Sequence, residues 1–117
     1  MNPLADEVFL RHMVDAIEPI MEFTAAHSPE AFAREWVLQN ALLHELQILG
    51  EAAGRLSRDL TDRHPEVPWA DVTGLRHKVV HDYFVVDFQV VWDTATLDVP
   101  VVRPQIEGML REITGPS

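Results

Sequence analysis

The sequence contains no cysteine and only one lysine, Lys78. Without cysteine the chain can form no disulfide, cysteine-based zinc site or iron–sulfur cluster, and it has no thiol nucleophile. Nine basic residues stand against nineteen acidic ones, which gives a formal net charge of −10 over 117 residues. Such a surface repels phosphate backbones, so it excludes a broad basic patch for nucleic acid, and no binding to DNA is expected.

Long hydrophobic runs are also missing. The densest apolar stretch, residues 36–49, is interrupted by polar and charged side chains, and no stretch approaches the 18 residues of a membrane span. The first residues include acids early and form no apolar run of signal-peptide length. We therefore expect a cytoplasmic protein with no membrane span, folded as a single helical domain over residues 1–117.

Apolar residues recur at helical spacing through most of the chain, which predicts an all-α fold. Three helices are predicted between residues 4 and 86. They are residues 4–24, residues 29 to about 60, and a helix that Asp71 caps and that frays near 83–86. A fourth begins after Asp87 and a fifth covers 102–113. A strand at 83–86 is disfavoured because no second strand is expected to pair with it. The predicted fold is an up-and-down bundle of four to five helices.

Prolines and glycines refine this prediction. Pro19 predicts a kink inside the first helix. Asp98, Pro100 and Pro104 predict a turn between the last two helices and the start of the last one. The second helix is apolar around much of its circumference, so it is either the centre of the bundle or part of a subunit interface. Gly50 and Gly54 on this helix permit a close approach of another helix.

Several other side chains on these helices receive structural interpretations. Trp36, Trp69 and Trp92 are predicted to be core anchors. Glu51 is interpreted first as a buried partner for an arginine, and alternatively as a residue that orients Arg76.

The segment 74–84 is the most informative part of the chain. It carries two histidines, two cations and a tyrosine within eight residues: Arg76, His77, Lys78, His81 and Tyr83. On one regular helix, His77 and His81 would lie on the outward side, while Arg76 would point about 140° away from His81. A site that uses both therefore needs a long arginine, a distorted helix end, or a second copy of the helix from another chain.

Arginine and histidine together suit RNA cleavage without a metal. Imidazole accepts and donates protons near neutral pH, and guanidinium offers a fork of donors that matches phosphate. The simplest alternative is that Arg76, His77, Lys78 and His81 are ordinary surface residues. His77 and His81, with Asp82, could also bind a divalent metal, but Asp82 would point about 100° from His81 on a helix. The sequence therefore predicts no metal site and no cofactor.

The same segment resembles a known motif. Arg76, His81 and Tyr83 match the R-x4-H-x-Y pattern of the HEPN superfamily, specifically the HepT-like toxins of MNT–HEPN toxin–antitoxin pairs. Three further stretches resemble the same family in the same order. They are 39–53, which is similar to its second helix with an I-G-E-A signature, 64–69, similar to its Y-P-x-I-P-W linker, and 90–100, similar to its closing vW…dlP pattern. The resemblance spans about residues 36–113.

This resemblance implies a dimer in which two R-x4-H motifs converge, and a metal-independent endoribonuclease with Arg76 and His81 as catalytic residues. It also implies a minimal nucleotidyltransferase (MNT) as the antitoxin, which would neutralise the toxin by forming a complex or by transferring AMP to Tyr83. His77 departs from the pattern, because the family commonly has asparagine there, so it is either a second acid–base group or a neutral substitution. Asp82 is interpreted as a solvated or orienting carboxylate.

The strong negative charge is a second departure, because it disfavours RNA capture. We expect RNA binding to be weak and confined to a dimer cleft that contains Arg76 and Lys78. Two alternatives remain open. One is a non-catalytic dimeric HEPN module that binds a nucleotide or a partner protein, and the other is a plain oligomerisation bundle.

Overall fold

The computed structural model describes residues 3–75, 80–81 and 85–115, and nearly all of them lie in helices, so the predicted all-α class is confirmed. The described elements, in chain order, are α1 (Pro3–Ala26), α2 (Pro29–Arg34), α3 (Trp36–Gly54), α4 (Arg58–Asp62), α5 (Trp69–Thr73), β1 (Val80–His81), β2 (Val85–Val86), α6 (Phe88–Asp93), a π-helical turn (Thr94–Asp98) and α7 (Val99–Thr114).

The helices α1 and α3 form the centre of the bundle. They run antiparallel, because Asp6 at the start of α1 contacts Ser57 just beyond the end of α3. The helix α7 packs on the other side of α1, while α2, α5 and α6 pack on α3. One hydrophobic cluster joins these elements, and its largest fully buried side chains include Leu10, Met13, Ile17, Ile20, Leu42, Leu46, Leu49, Leu60, Ile106 and Met109. The first prediction for α3, a central helix, is thereby confirmed.

The prediction of one continuous helix from Pro29 to about Leu60 is wrong at two points. The first break is at Glu35, whose backbone is extended (φ −122°, ψ 106°). The Gln39 side chain stabilises this break, because its amide nitrogen donates to the carbonyl oxygens of Phe32 at 3.0 Å and Ala33 at 3.2 Å. Both carbonyls lie at the end of α2, where regular helical partners are missing; the Phe32 oxygen also accepts from the Glu35 backbone nitrogen at 3.4 Å.

The second break follows α3. Ser57 caps α4, since its hydroxyl oxygen accepts a hydrogen bond from the Leu60 backbone nitrogen. The Asp6 carboxylate accepts two further hydrogen bonds from Ser57, one from its backbone nitrogen at 2.8 Å and one from its hydroxyl at 2.6 Å. A contact between positions 51 residues apart therefore decides where α3 ends and α4 begins.

The predicted third helix is also corrected. The helix α5 begins at Trp69, so Asp71 lies inside it and does not cap it as predicted. The helix ends at Thr73, Gly74 forms a turn, Leu75 is helical again, and His81 lies in an extended strand. This strand has a partner, contrary to the expectation, because Val80 pairs with Val86 and His81 with Val85 in an antiparallel ladder. Valine and aromatic residues, which favour extended backbone, are concentrated between positions 79 and 86. Glycine at position 74 has low helix propensity, which favours the turn between Thr73 and Leu75.

The last part of the chain is helical from Phe88 to Thr114. Asp87 caps α6 as predicted, because its side chain accepts hydrogen bonds from the Gln89 and Val90 backbone nitrogens. The predicted turn at Asp98–Pro104 is wrong, since the π-helical turn leads directly into α7. This wider turn lies just before Pro100, where the proline ring would crowd a carbonyl of a regular α-helix.

Two features of the surface complete the fold. Trp36, predicted to be a core anchor, is 71% exposed, whereas Trp92 is buried and Trp69 is half-buried. Trp36 is the first residue of α3, so it projects beyond the layer that α1 and α7 cover. Among the described residues, no helix is both long and apolar enough to cross a bilayer.

Candidate functional site

Most of the predicted site residues lie outside the part of the chain that the structure describes. Arg76, His77, Asp82 and Tyr83 lie outside the described residues. The structure places only the backbone of His81, in β1 opposite Val85. Because His81 lies in a strand, it does not share one regular helix with Arg76. The structure does show how the bundle holds both ends of the segment.

The leading end of the segment is anchored on α3. Val72 and Leu75 are both buried, and Leu75 directly precedes Arg76. The backbone of α3 approaches this region closely at Gly50, where a Cβ atom would lie 3.0 Å from the Val72 carbonyl oxygen and 3.4 Å from Leu75 Cβ. The predicted close approach is confirmed at Gly50, although the neighbour is the short helix α5. At Gly54 a Cβ atom would meet nothing within 4 Å.

Alanine substitutions at the two glycines are expected to have opposite effects on stability. Gly50→Ala should lower the free energy of unfolding by about 1–3 kcal/mol, because α3 and α5 must separate to admit the methyl group. Gly54→Ala should raise it by up to about 1 kcal/mol, because the methyl group enters open space and alanine favours the helix. Urea denaturation of both variants measures the difference. Equal effects would contradict the close approach at Gly50.

The linker 63–68 anchors the start of α5. The Trp69 indole nitrogen donates to the His64 carbonyl oxygen at 2.9 Å, and Val67 is buried. The Gln105 side-chain amide, on α7, donates to the Glu66 carbonyl oxygen at 3.1 Å. These contacts fix the linker between α5 and α7, and with it the helix that leads to Leu75.

An ionisable cluster strengthens the same linker. The His64 ring contacts two carboxylates, through Nδ1 to Glu66 at 3.1 Å and through Nε2 to Glu112 of α7 at 3.1 Å. A neutral imidazole can donate to one of them only, whereas a protonated ring can donate to both. A hydrogen bond from its own backbone and another from the His64 side chain hold the pKa of the Glu66 carboxyl below its ordinary value.

This lowered pKa predicts a dependence of stability on pH. A carboxyl whose pKa is lower in the folded state stabilises the fold above its ordinary value of 4.5. That contribution is lost as the pH falls through the lowered, folded value. Between pH 6 and acid pH, wild type should therefore lose more unfolding free energy than Glu66→Gln. Denaturation at a series of pH values tests this, with Glu22→Gln as a surface control that should follow wild type.

The trailing end of the segment is anchored by aromatic residues. Directly after β2, Asp87 caps α6 and Phe88 packs against the core. The Phe32 ring of α2 contacts Trp92 with centroids 5.1 Å apart and Phe88 with centroids 6.4 Å apart. Residues 76–86 therefore span two fixed points on the bundle, Leu75 on α3 and Phe88 on α2.

A pocket of about 100 Å³ lies beside Leu75. Its lining is largely apolar, including Leu49, Val72 and Val102, and it includes the carboxylates Asp71 and Asp98. The described residues that line it include no basic side chain, so the pocket does not favour a phosphate group.

Ion pairs neutralise part of the positive charge on the described surface. Of the seven described arginines, Arg11, Arg55 and Arg103 lie in ion pairs with nearby carboxylates, at 3.1–3.6 Å. Glu51, expected to be buried, is exposed and pairs with Arg55 on the next turn of α3 at 3.3 Å. Across the described part of the chain, no group of three or more histidine and acidic side chains is arranged to hold a metal ion.

Sequence reasoning missed the roles of Asp6, His64 and Gln105. His64 received no function from the sequence, and Asp6 and Gln105 were not singled out. The resemblance of residues 64–69 to the family's linker pattern marked this segment, but nothing in the linear pattern showed that its polar groups meet α7. A capping serine at position 57 was the one local signal for the break that Asp6 stabilises.

Comparisons with known proteins point to one family. The profile of the family described as "Ribonuclease HepT-like" matches residues 13–109. A protein of Thermococcus cleftensis named "Probable ribonuclease HepT" is 36% identical over 99 residues, which cover 85% of this chain and 90% of the relative. A protein of Caldanaerobacter subterraneus subsp. tengcongensis, named as a candidate RNase, is 31% identical over 104 residues. These residues cover 89% of this chain and 93% of the relative.

A third relative, from Methanocaldococcus jannaschii and also named as a candidate RNase, is 28% identical over 109 residues, covering 93% of this chain and 90% of its own. No solved structure matches the chain significantly. The matched region contains the complete R-x4-H-x-Y segment and both of its anchors.

Proposed function

The chain belongs to the HepT-like ribonuclease family, and we propose that it is a metal-independent endoribonuclease with Arg76 and His81 as its catalytic residues. The observation that carries the proposal is the family match over residues 13–109, which includes the R-x4-H segment. The bundle supports it, because Leu75 and Phe88 anchor that segment at both ends. Preorganised donors and bases need such support to act efficiently.

The reaction proceeds by attack within the RNA strand. The His81 imidazole takes the proton of a ribose 2′-hydroxyl, whose oxygen forms a bond to the adjacent phosphorus. The bond from phosphorus to the 5′-oxygen of the next nucleotide breaks. A second acid, His77 or the partner copy's imidazole, protonates that leaving oxygen. The Arg76 guanidinium stabilises the charge on the phosphoryl oxygens. The products are a 2′,3′-cyclic phosphate and a 5′-hydroxyl.

The active form of this proposal is a homodimer. Two copies would bring two Arg76–His81 pairs together and would double the few available cations in one cleft. The chain as a whole is strongly acidic, and three of its seven described arginines are paired with carboxylates, so RNA should bind weakly and only at that cleft.

The biological role follows the family resemblance. We propose that the protein is the toxin of a cytoplasmic toxin–antitoxin pair whose antitoxin is a minimal nucleotidyltransferase. In the modification step the Tyr83 oxygen attacks the α-phosphorus of ATP, a new oxygen–phosphorus bond forms, and pyrophosphate leaves. The added phosphate brings negative charge to a position seven residues after Arg76. There it would form an ion pair with the Arg76 guanidinium and repel RNA.

A cleavage assay tests the nuclease. Purified protein is incubated with mixed RNA in the presence of EDTA, and the products are examined for 2′,3′-cyclic phosphate and 5′-hydroxyl ends. We expect cleavage with these ends and no dependence on added metal. Intact RNA at high protein concentration, together with retained nucleotide binding, would favour the non-catalytic HEPN module instead.

Mass spectrometry tests the modification. We expect co-expression with the neighbouring nucleotidyltransferase to add one AMP to the peptide that contains Tyr83, and Tyr83→Phe to abolish the addition. If the complex is inactive but the Tyr83 peptide is unmodified, AMP transfer is excluded and the antitoxin neutralises the toxin by forming a complex.

A further inference from the structure

A pocket lies where α2, α3 and α6 meet, at the trailing end of the segment 76–86. Its volume is about 230 Å³, whereas a cavity of roughly 150 Å³ already holds a benzene molecule, so a nucleobase fits. None of the described residues that line it carries a formal charge, although the chain has a net charge of −10. We call it the aromatic pocket, and its lining includes Phe32, Ala33, Gln39, Phe88, Gln89 and Trp92.

Three aromatic rings form the inner wall of the aromatic pocket. The centroid of the Phe32 ring lies 5.1 Å from that of Trp92 and 6.4 Å from that of Phe88. Phe32 and Trp92 are buried and Phe88 is half-buried, whereas Ala33 and Gln89 are exposed and mark the mouth. A flat guest that enters through the mouth would therefore pack against aromatic surface, which suits a nucleobase.

Two glutamine amides supply the polar groups of the aromatic pocket. The Gln39 amide nitrogen donates to the Phe32 and Ala33 carbonyl oxygens, which engages both of its N–H groups. The Gln89 amide nitrogen donates one hydrogen bond to Asp93 at 2.9 Å. In the described part of the chain, the oxygen atoms of both amides remain to accept hydrogen bonds from a guest. The pocket therefore matches a base with two N–H donors.

The aromatic pocket also lies close to His81. His81 pairs with Val85 across the ladder, which places their Cα atoms about 5 Å apart. Val85 is three residues before Phe88, and three steps of about 3.8 Å add no more than about 11 Å. The pocket wall at Phe88 is therefore within roughly 16 Å of the His81 backbone. An RNA strand that passes His81 can reach the pocket within a few nucleotides.

We infer that the aromatic pocket binds one unpaired base of the RNA substrate and prefers cytosine, adenine or guanine to uracil. Single-stranded RNA is recognised by aromatic surfaces combined with hydrogen bonds to base edges. The amino group of the three preferred bases supplies two N–H donors for the two amide oxygens, whereas uracil offers a single N–H. The inference rests on the proposed function and specifies the bases that it selects near the cleaved bond.

Binding of RNA that cannot be cleaved tests the pocket directly. Short fluorescent oligocytidine and oligouridine with 2′-O-methyl groups lack the attacking hydroxyl, and cytosine carries an amino group where uracil has a carbonyl oxygen. We expect wild type to bind oligocytidine roughly two- to tenfold more tightly in fluorescence anisotropy, the contribution of one hydrogen bond. Ala33→Trp should weaken this binding roughly tenfold, because the indole fills the mouth and prevents the base from stacking.

Matched variants serve as controls. Ala41→Trp adds the same ring at another exposed alanine, which lies on the opposite side of α3 from Gln39, and it should bind both oligonucleotides as wild type does. Gln89→Ala should lower the affinity for oligocytidine and leave that for oligouridine nearly unchanged, while Gln47→Ala on α3 should change neither. Circular dichroism must show the same helix content for all these proteins.

Three results would overturn the inference. The first is equal binding of the two oligonucleotides by wild type, and the second is unchanged affinity in Ala33→Trp. The third is a loss in Ala41→Trp as large as that in Ala33→Trp. Gln89 is exposed, so Gln89→Ala decides the question if Ala33→Trp fails to fold.

Cleavage of natural RNA by the same proteins separates this inference from the proposed function. If Ala33→Trp binds and cleaves RNA as wild type does, the nuclease stands and the pocket is wrong. If Ala33→Trp loses the binding of 2′-O-methyl oligocytidine but wild type leaves natural RNA intact, the pocket stands and the nuclease is wrong.

Discussion

Replacing His81 with alanine is expected to lower the rate constant of RNA cleavage by roughly 10²–10⁴-fold, the usual contribution of a general acid or base. The imidazole would be the only group of the motif that removes the 2′-hydroxyl proton near neutral pH. Single-turnover cleavage of one labelled RNA measures the effect directly. The fall should appear in the chemical step, with little change in the affinity for RNA.

Arg76→Ala should cost about 10²–10³-fold, because the developing phosphoryl charge loses a fixed donor. Arg76→Lys should recover only part of this loss, since an ammonium group cannot present the planar fork of a guanidinium. If His81 and Arg76 act as one unit, the double variant should be scarcely slower than the worse single variant.

Matched substitutions outside the motif serve as controls. His27 lies at the end of α1, where its Nδ1 contacts the Phe23 carbonyl oxygen at 2.9 Å, and Arg58 is exposed at the start of α4. His27→Ala and Arg58→Ala should cleave RNA at nearly the wild-type rate. Full activity in His81→Ala would contradict the assignment, and equal losses in His27→Ala would indicate a folding defect.

Asp6→Ala is expected to lower the free energy of unfolding by about 3 kcal/mol, from two lost hydrogen bonds to a charged group. Asp6 is only 2% exposed, and its carboxylate accepts from both the backbone nitrogen and the hydroxyl of Ser57. The alanine variant would leave the Ser57 nitrogen without this partner and free the hydroxyl that caps α4. The midpoint of thermal unfolding should fall by roughly 10 °C.

Urea denaturation of four proteins tests this network. Asp59→Ala removes an exposed carboxylate from the first turn of α4 and should change stability by less than about 1 kcal/mol. Ser57→Ala should be destabilised, and the Asp6→Ala/Ser57→Ala double variant should lose less than the sum of the two single variants. Additive losses, or an Asp6→Ala protein as stable as wild type, would show that the contact contributes little to stability.

Local pattern was enough for the helical class, because the signals for α1 and α7 are short-range. Apolar residues at i, i+3 and i+4 predicted α1 and α7 closely, and a capping aspartate at position 87 predicted the start of α6. The family resemblance also lay in local motifs, and the family match confirms it. The assignment of Arg76 and His81 to catalysis remains a prediction of the sequence, because the structure places only the backbone of His81.

Tertiary structure decided where helices stop and which faces remain uncovered. The break after α3 depends on Asp6, which lies 51 positions before Ser57. The break at Glu35 is stabilised by the Gln39 side chain, which donates to the carbonyl oxygens at the end of α2. At His81, strand pairing with Val85 overrode the helical spacing that predicted a helix there. The exposed side of α3 could not be separated from its buried side by composition, because α3 is apolar around much of its circumference. The sequence by itself thus determined a family and its motif, while only long-range contacts determined the ends of the helices that hold both sides of the motif.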